Sequence, residues 1–562
     1  MPKAIKQCPE CKKVYADETL NYCLEDGARL LEEHDFSADF PTEILPGDTA
    51  SSSPDRRRVS SDEALWTDRP TRIYPATNKL WPVGLAVLVL ATAGFLLYRA
   101  FTPTAVKHID SIAVLPFVNE SGNTDVDYLS DGITDTLINN LSKIPNLNVK
   151  ARSSVFRYKG QVVEPATLGQ QLSVHAVLNG RVALRGDDLS LYLSLVDTKT
   201  GDQIWGESYE RKLADLVTLQ KEITRDVSQK LQLRLSGAEV QRVTRNYTEN
   251  AEAYRLYLLG RHHVLKATRP DIETSIKYFQ QAIDLDPLFA LAYVGLADAY
   301  RAPAAERLPS EALAKSKAAA QKAIEIDDTL ADAHAVLGFT IFWYEWNWSA
   351  AEAECRRAIE LAPDNSDAHL FYAHLLSNLG RHEEALREAK RARELEPLNP
   401  RTNALEGQFL IHAGRVDEGM ERLRATQELD PNNWMSHLFA ASGYIEKGML
   451  PEAVEEGRRT VEIQPYVRSF SFYGYALAKS GRQQEARAEL ARLFEISRDR
   501  WISPYSVALI YNGLDDREQT FAWLERGVKE RDPRMIFLKV EPKWNNLRDD
   551  PRFQNIMRAV GF

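Results

Sequence analysis

Cys8 and Cys11, separated by two residues, and Cys23, twelve positions further on, have the types and spacing of a thiolate metal site. Zinc takes tetrahedral sulfur and nitrogen ligands, and two such ligands with a two-residue gap fit one knuckle turn. Three residues after Cys23, where a fourth thiolate is expected, stands Asp26. A carboxylate also ligates zinc, so Cys8, Cys11, Cys23 and Asp26 make a Cys₃Asp set, weaker than four thiolates, with His34 as an alternative fourth ligand. The competing reading is a degenerate ribbon in which Asp26 only caps a turn. Nothing nearby serves as an acid or base, so the expected cofactor is one structural Zn(2+). Residues 1–35 carry eight carboxylates against five lysines and arginines, which disfavours nucleic acid and suits a protein-docking or structural knob.

No other stretch carries a recognisable catalytic constellation. Phosphate loops, nucleophile elbows, kinase catalytic loops and two-histidine zinc helices are all absent from the sequence. "RHEEAL" at 381–386 begins like the last of these but lacks its second histidine. The expectation is a binding protein with no catalytic residues, not an enzyme. Cys355, the fourth cysteine, has no evident partner, so no disulfide framework is implied.

The elements that position these groups begin with length. At 562 residues the chain suggests three or four units at one domain per ~150 residues. Its formal net charge of −10 argues again against a general nucleic-acid binder. Leu80–Tyr98 is an uncharged nineteen-residue apolar run, close to the length that crosses a bilayer. Lys79 and Arg99 bracket it, and Trp81 and Tyr98 stand where interfacial anchors do. Residues 79–100 are therefore expected to be one transmembrane helix. Arg56, Arg57, Arg58, Arg69, Arg72 and Lys79 precede it, whereas Arg99 and Lys107 alone follow until Lys143. The positive-inside rule places the first 79 residues in the cytoplasm and the rest outside it, across a bacterial inner membrane in the periplasm. A reducing cytoplasm also keeps the opening thiols free to bind metal.

Residues 36–78, rich in Pro, Ser, Thr, Asp and Arg, read as a disordered linker. From 108 to 240 short apolar runs alternate with helical periodicity. "SIAVLPF", "LNVKAR", "HAVLNGRVALR" and "DLSLYLSLVDT" read as strands, and Leu129, Ile133, Leu137 and Leu141 mark a helix. "RGDD" marks a hairpin turn, and the whole implies a small α/β domain. From 245 to 562 strand signals vanish. "AIDLDP", "AIEIDD", "AIELAP", "ARELEP", "TQELDP" and "TVEIQP" end at Pro287, Asp328, Pro363, Pro397, Pro431 and Pro465, the last four being 34 residues apart. That period with small residues at Ala373 and Ala385 is the tetratricopeptide signature of an all-α solenoid, with a C-terminal cap and with insertions expected in two loops.

The aromatic cluster Phe342–Trp348 is weighed as a carbohydrate or peptide platform against a wedge between repeat helices, the latter preferred. Arg261–His263 has no acidic or cysteine companion in sequence, so no metal site is expected there. His369, His374, His412 and His437 are read as packing or groove residues.

"SIAVLPFVNESGNTDVDYLSDGITDTLINNLSKIPNLNVKARSSVFRYKG" resembles the TolB amino-terminal-like (FlgO-like) domain, which bacterial signalling proteins carry between a membrane helix and a tetratricopeptide array. The resemblance, with "VLNGRVALRGDDLSLYLSLVDTKTGDQIWGESYERKLADLVTLQKEI" and the terminal "LRDDPRFQNIMRAVGF", covers nearly everything from about 109 onward. It implies a sensory or scaffolding architecture. Relatives commonly bear a cyclase, kinase or winged-helix head, whereas this head is ribbon-like and about 35 residues long, so no catalytic or DNA-reading residue carries over. The expectation is a non-catalytic, membrane-anchored scaffold or sensor that holds a protein or peptide in its repeat groove. A homodimer is compatible with it, since a single helix transmits poorly alone. The alternatives are a signalling protein related to adenylate cyclases or kinase receptors, and a transcription regulator of similar layout.

Overall fold

The computed structural model describes residues 6–7, 14–15, 31–32, 109–144, 146–231, 247–302 and 308–562. Two units separate, Met1–Phe101 and Thr102–Phe562. In the first, β1 (Lys6–Gln7) lies between β2 (Val14–Tyr15) and β3 (Leu31–Glu32), antiparallel to both. Gln7 faces Val14 on one side and Leu31 on the other. The linker 36–78 and the apolar run Leu80–Tyr98 lie outside the described residues, among which no helix is long and apolar enough to cross a membrane.

The second unit opens with an α/β domain on one mixed sheet. β4 (Ser111–Val114) pairs in parallel with β6 (Asn148–Val149) and β7 (Ala176–Arg185), and β5 (Val118–Asn119) also pairs in parallel with β7. β8 (Asp188–Asp197) and β9 (Gln203–Lys212) extend the sheet antiparallel. Parallel neighbours need crossover connections. α1 (Asp127–Leu141) supplies the one into β6, and α2 (Pro165–Leu172) the one into β7. The two-residue turn after Arg185 needs left-handed backbone, which Gly186 provides at φ +62°. Leu189, Leu191, Leu193 and Leu195 alternate inward along β8 and are buried, as a half-buried strand requires. "LNVKAR" departs from expectation: after two strand residues, Arg152–Val155 turns into a short helix. α3 (Leu216–Lys230) packs on β9 and on α1.

From Ala251 onward the chain is helical. The pairs are α4 (Ala251–Lys266) with α5 (Arg269–Leu285), α6 (Ala290–Arg301) with α7 (Pro309–Ile326), and α8 (Ala331–Thr340) with α9 (Trp348–Leu361). Next come α10 (Ser366–Asn378) with α11 (His382–Leu395), α12 (Pro400–His412) with α13 (Val416–Leu429), and α14 (Trp434–Glu446) with α15 (Leu450–Ile463). Two further pairs lack the sequence marker: α16 (Val467–Lys479) with α17 (Gln483–Ile496), and α18 (Pro504–Gly513) with α19 (Arg517–Lys529).

The repeat grammar is physical. Asn365, Asn399 and Asn433 stand two residues after the repeat prolines, and each caps the next first helix by accepting from its free N–H groups. Gly380, Gly414 and Gly448, at φ +79°, +76° and +72°, end those helices in the left-handed conformation that costs glycine least. The excess residue of the third unit is absorbed differently from expectation. It sits in no loop: Ile341–Glu345 forms a π-helical turn, which takes one residue more than an α turn. First helices of neighbouring pairs pack on one another and form the inner row. α10 is buried along its whole length except Asp367, so a further layer must cover it.

Candidate functional site

The layer that covers the inner row is the chain's own C-terminal segment. Past α19, residues 530–562 fold back as a strap of two 3-10 turns, Pro533–Phe537 and Pro542–Leu547, and a last helix α20 (Pro551–Ala559). Asp532 accepts from the Ser503 hydroxyl at 2.6 Å and the Tyr505 N–H at 2.8 Å, which seats the start of the strap on α18. Phe537 then lies edge-on to Trp343, His374 and His412, with centroids 5.8, 5.7 and 6.2 Å away. Lys543 donates to Ser442 on α14 at 2.6 Å, and its carbonyl accepts from Asn512 at 2.7 Å. Trp544 donates to the Tyr505 hydroxyl at 2.8 Å. At the far end Phe562 stacks on Trp348 with centroids 4.9 Å apart.

Met535, Ile536, Leu538, Trp544 and Val560 of this strap are fully buried. Each such side chain stabilises the fold by about 1.5–3 kcal/mol. Releasing the strap would expose all of them to water, offset in part by the chain entropy regained. The strap packs as part of the fold and covers the inner face beneath it.

Toward the other end, the α/β domain stands over the inner row. α1 meets α4 closely at Gly132, where a Cβ would come within 2.8 Å of Leu258. Thr136 and Tyr254 share a hydrogen bond of 2.7 Å, and Asp135 receives Arg261 at 2.9 Å and Arg152 at 3.5 Å. Ser153 donates to Glu396 at 2.8 Å, a second tie across to the repeats. Between these ties a cleft of about 2020 Å³ remains open, walled by α1, α3 and the β6 region on one side and by the first helices α4, α6, α8 and α10 on the other.

The cleft walls are polar and charged. On the repeat side Asp332 and Asp367 occupy the same place in successive first helices, and Asp298 lies nearer the C-terminal end of α6. Arg301 pairs with Asp298 at 2.7 Å and Arg401 with Asp367 at 3.1 Å. Asp332, between them, holds the Asn365 amide at 2.6 Å. Asp332 is itself exposed. On the α/β side Lys150 has no acidic partner among the described residues, and desolvation lowers its ammonium. Gln220 of α3 is 4% exposed, and neither its amide N nor its amide O has a hydrogen-bond partner among the described residues.

The expected metal ligands Cys8, Cys11, Cys23 and Asp26, with His34, lie outside the described residues. Chain order puts Cys8 and Cys11 in the β1–β2 connection and Cys23 and Asp26 in the β2–β3 connection.

Other expectations meet particular surroundings. Arg261, His262 and His263 do have acidic companions, which the fold supplies: Asp135 at 2.9 Å, Asp131 at 3.6 Å and Asp271 at 2.8 Å. The first two brace α1 on α4 and the third ties α4 to α5, and no group of three metal-binding side chains occurs among the described residues. Phe342 is buried against Phe339, Trp343, Trp348 and His374, a wedge as preferred. His374 is ringed by aromatics, and burial pushes its imidazole well below its ordinary value. His369 and His437 are clamps: each bonds a second-helix glutamate at 2.6 Å (Glu388, Glu456) and a repeat-boundary carbonyl (Pro363, Pro431). His334 does the same with Glu354 and Asp328. Cys355 is a buried free thiol under Gly338, and burial pushes its pKa up.

Sequence reasoning expects a C-terminal cap but missed its course as a strap over the inner row, and it missed the cleft. The unpatterned apolar run Met535–Val540, followed by Trp544, was a legible sign of a buried non-helical segment. The cleft had no such sign, because its walls lie far apart in sequence.

Comparison with known proteins matches this division. A family model described as the second domain of HilA/YgeH-like transcriptional regulators covers residues 107–226, and a tetratricopeptide repeat model covers 345–409. The α/β region thus matches under a different description from the TolB amino-terminal resemblance. A curated relative from Rhizobium meliloti (strain 1021), named "Putative adenylate cyclase 3", is 30% identical over 236 residues, 42% of this chain and 40% of the relative. The chain therefore spans less than half the length of that relative. Among solved structures, YrrB, described as a TPR protein with an unusual peptide-binding site, is 23% identical with a TM-score of 0.25, covering 34% of this chain and 95% of its own. PilF of Pseudomonas aeruginosa is 21% identical with a TM-score of 0.31, covering 41% and 99%. The chain is a tetratricopeptide repeat protein with an α/β domain before the repeats.

Proposed function

We propose that this protein is a non-catalytic scaffold or sensor that binds another protein through its repeats, anchored by one membrane span. One observation carries the reading. The inner face of the solenoid is closed by the strap over its later pairs and left open over its first pairs as a cleft of about 2020 Å³. Solenoid inner faces hold extended partner segments by main-chain and side-chain contacts. Leu80–Tyr98, with its flanking Trp81, Tyr98, Lys79 and Arg99, supports the span, and the upstream arginines support a cytoplasmic head with the repeats in the periplasm of a bacterial inner membrane. The head would hold one structural zinc through Cys8, Cys11, Cys23 and Asp26.

The test is calorimetric titration of the full-length protein with partners captured from envelope extracts, paired with a reporter enzyme fused after Phe562. A saturable protein ligand and a reporter active only outside the cytosol are the expected results. A cytosol-active fusion removes the topology, and the absence of any protein ligand removes the scaffold.

The named relative favours a second reading, a signalling protein of the adenylate cyclase or kinase-receptor kind, while the HilA/YgeH-like match favours a transcription regulator. Against the first stands the lack of a recognisable phosphate loop or kinase catalytic loop in this sequence; against the second, the acidic character of residues 1–35. Nucleotide turnover by the purified full-length chain would restore the first, and a DNA mobility shift at low salt the second.

A further inference from the structure

We infer that β9 is a self-association edge, and that its occupant is β9 of a second copy of this chain, antiparallel about a two-fold axis at Tyr209. The inference goes beyond the reading above and does not depend on what the repeats bind. β9 ends the sheet, since among the described residues it pairs with β8 alone. An open edge strand is a template for another chain, and folds usually blunt it by shortness, a proline or a bulge. β9 runs for ten residues without a proline, against a usual strand length of about 5–6. Its register shift, opposite Leu195 and Val196, lies at its start and leaves the pairing from Trp205 to Lys212 regular.

The main-chain groups that face the opening follow from one bond. The Leu213 N–H donates at 2.8 Å to the Asp187 carbonyl directly across from it. Main-chain groups alternate in direction along an antiparallel ladder, so Arg211, Tyr209, Glu207 and Trp205 also point at β8. Gly206, Ser208, Glu210 and Lys212 therefore turn their N–H and C=O groups outward. In agreement, the Arg211 guanidinium donates to the Glu210 carbonyl at 2.9 Å from the open side. Ser208, Glu210 and Lys212 are exposed, so no described element covers this edge.

Charge selects the occupant and its register. Residues directly opposite in an antiparallel pair share a face, and like charges there repel. A self-pair centred on Glu207, Glu210 or Arg211 sets like charges against each other. Centred on Ser208, it leaves Glu207 opposite Tyr209. Centred on Tyr209, it sets Glu207 opposite Arg211 of the second copy, twice by symmetry. Glu207 is exposed and has no hydrogen bond or ion pair among the described residues. Arg211 contacts Glu222 at 2.8 Å and keeps 39% of its side chain exposed. In this register the outward groups of Ser208 meet those of Glu210, and Gly206 those of Lys212, for about eight new main-chain bonds. Charges that turn foreign strands away thus admit one strand in one register.

Sedimentation of the full-length protein in detergent, across a range of concentrations, reads the association. So small an interface dissociates on dilution, and the mass should double reversibly as concentration rises. Glu207→Arg and Arg211→Glu should each raise the dissociation constant about tenfold. Mixing the two variants should restore association, because each then faces the opposite charge. Ser208→Pro removes an outward N–H while sparing the β8 ladder, so it should weaken the dimer without unfolding the domain. In the wild-type protein, hydrogen exchange within residues 203–212 should slow as concentration rises, a readout that needs no variant to fold. Four results would each overturn the edge pair: a monomer throughout, a dimer indifferent to Glu207→Arg or Ser208→Pro, a mixture no better than its components, or exchange that ignores concentration. All of them leave the protein-binding reading intact.

Discussion

Lys543 places its ammonium 2.7 Å from the carboxylate of Glu541, with the two side chains 1% and 5% exposed. The same ammonium donates to Ser442 and lies 4.4 Å above the Phe472 ring, so one strap residue ties two inner helices. Burial alone would raise the Glu541 carboxyl; the Lys543 charge and the contact with His412 outweigh it and hold it far below the usual range. Breaking one side of such a pair leaves an uncompensated buried charge, costing about 3–5 kcal/mol, whereas replacing both by apolar groups is close to neutral. Lys543→Met alone should therefore destabilise strongly in urea unfolding, and adding Glu541→Leu should recover most of that loss. Additive losses would mean the pair is not coupled.

Trp544 anchors the strap. It is fully buried, edge-on to Tyr505 with centroids 5.2 Å apart, and donates its indole N–H to that hydroxyl. Trp544→Ala should cost about 3–5 kcal/mol by lost burial and residual cavity. Because the strap touches first helices from α10 to α18, the loss should appear in hydrogen exchange across that whole stretch. Protection lost only in α18 would show that the strap closes each pair separately.

The histidine clamps give stability a pH dependence of known sign. Burial opposes protonation of His334 and His437, but hydrogen bonds to Glu354 or Glu456, a boundary carbonyl and the glutamate charge outweigh it and raise both pKa values. A raised folded pKa contributes stability fully below the unfolded value, about pH 6.5, and loses it as pH rises through the folded value. At the equivalent place in the repeat before that of His437, Asn403 keeps the carbonyl bond to Pro397 at 2.9 Å without a titrating ring. His437→Asn should consequently lower the thermal midpoint most in mild acid, with the difference shrinking toward alkaline pH. A difference that widens with pH would contradict the clamp.

Zinc in the head offers a fourth test. The full-length protein should bind one zinc, Cys11→Ser should abolish it, and Asp26→Ala should weaken it by roughly tenfold, or about 1.4 kcal/mol. Competition with a chromophoric chelator reads the affinity. Equal affinity in wild type and Asp26→Ala would remove Asp26 from the site and favour His34.

Much of the architecture was legible in the sequence because it is local. Helix caps at Asn365, Asn399 and Asn433, stops at Gly380, Gly414 and Gly448, and inward leucines along β8 each act within a few residues of themselves. Where local rules competed, the reading slipped. The strand expected through Arg152 gave way to a helical turn whose guanidinium is drawn to Asp135. Likewise, the extra residue of the third unit went into a π turn at Ile341–Glu345.

The sequence by itself determined the repeat, the α/β pattern, and the spacing of thiolates that invites a metal, since periodicity and ligand spacing depend only on neighbours along the chain. The tertiary structure alone decided which part of the solenoid is open. That outcome depends on Phe537 reaching His374, on Trp348 donating to the Val560 carbonyl, and on Asp135 meeting Arg261, contacts between residues more than a hundred positions apart. Such pairings are set by the global packing of buried apolar surface, and no short window of sequence contains both partners.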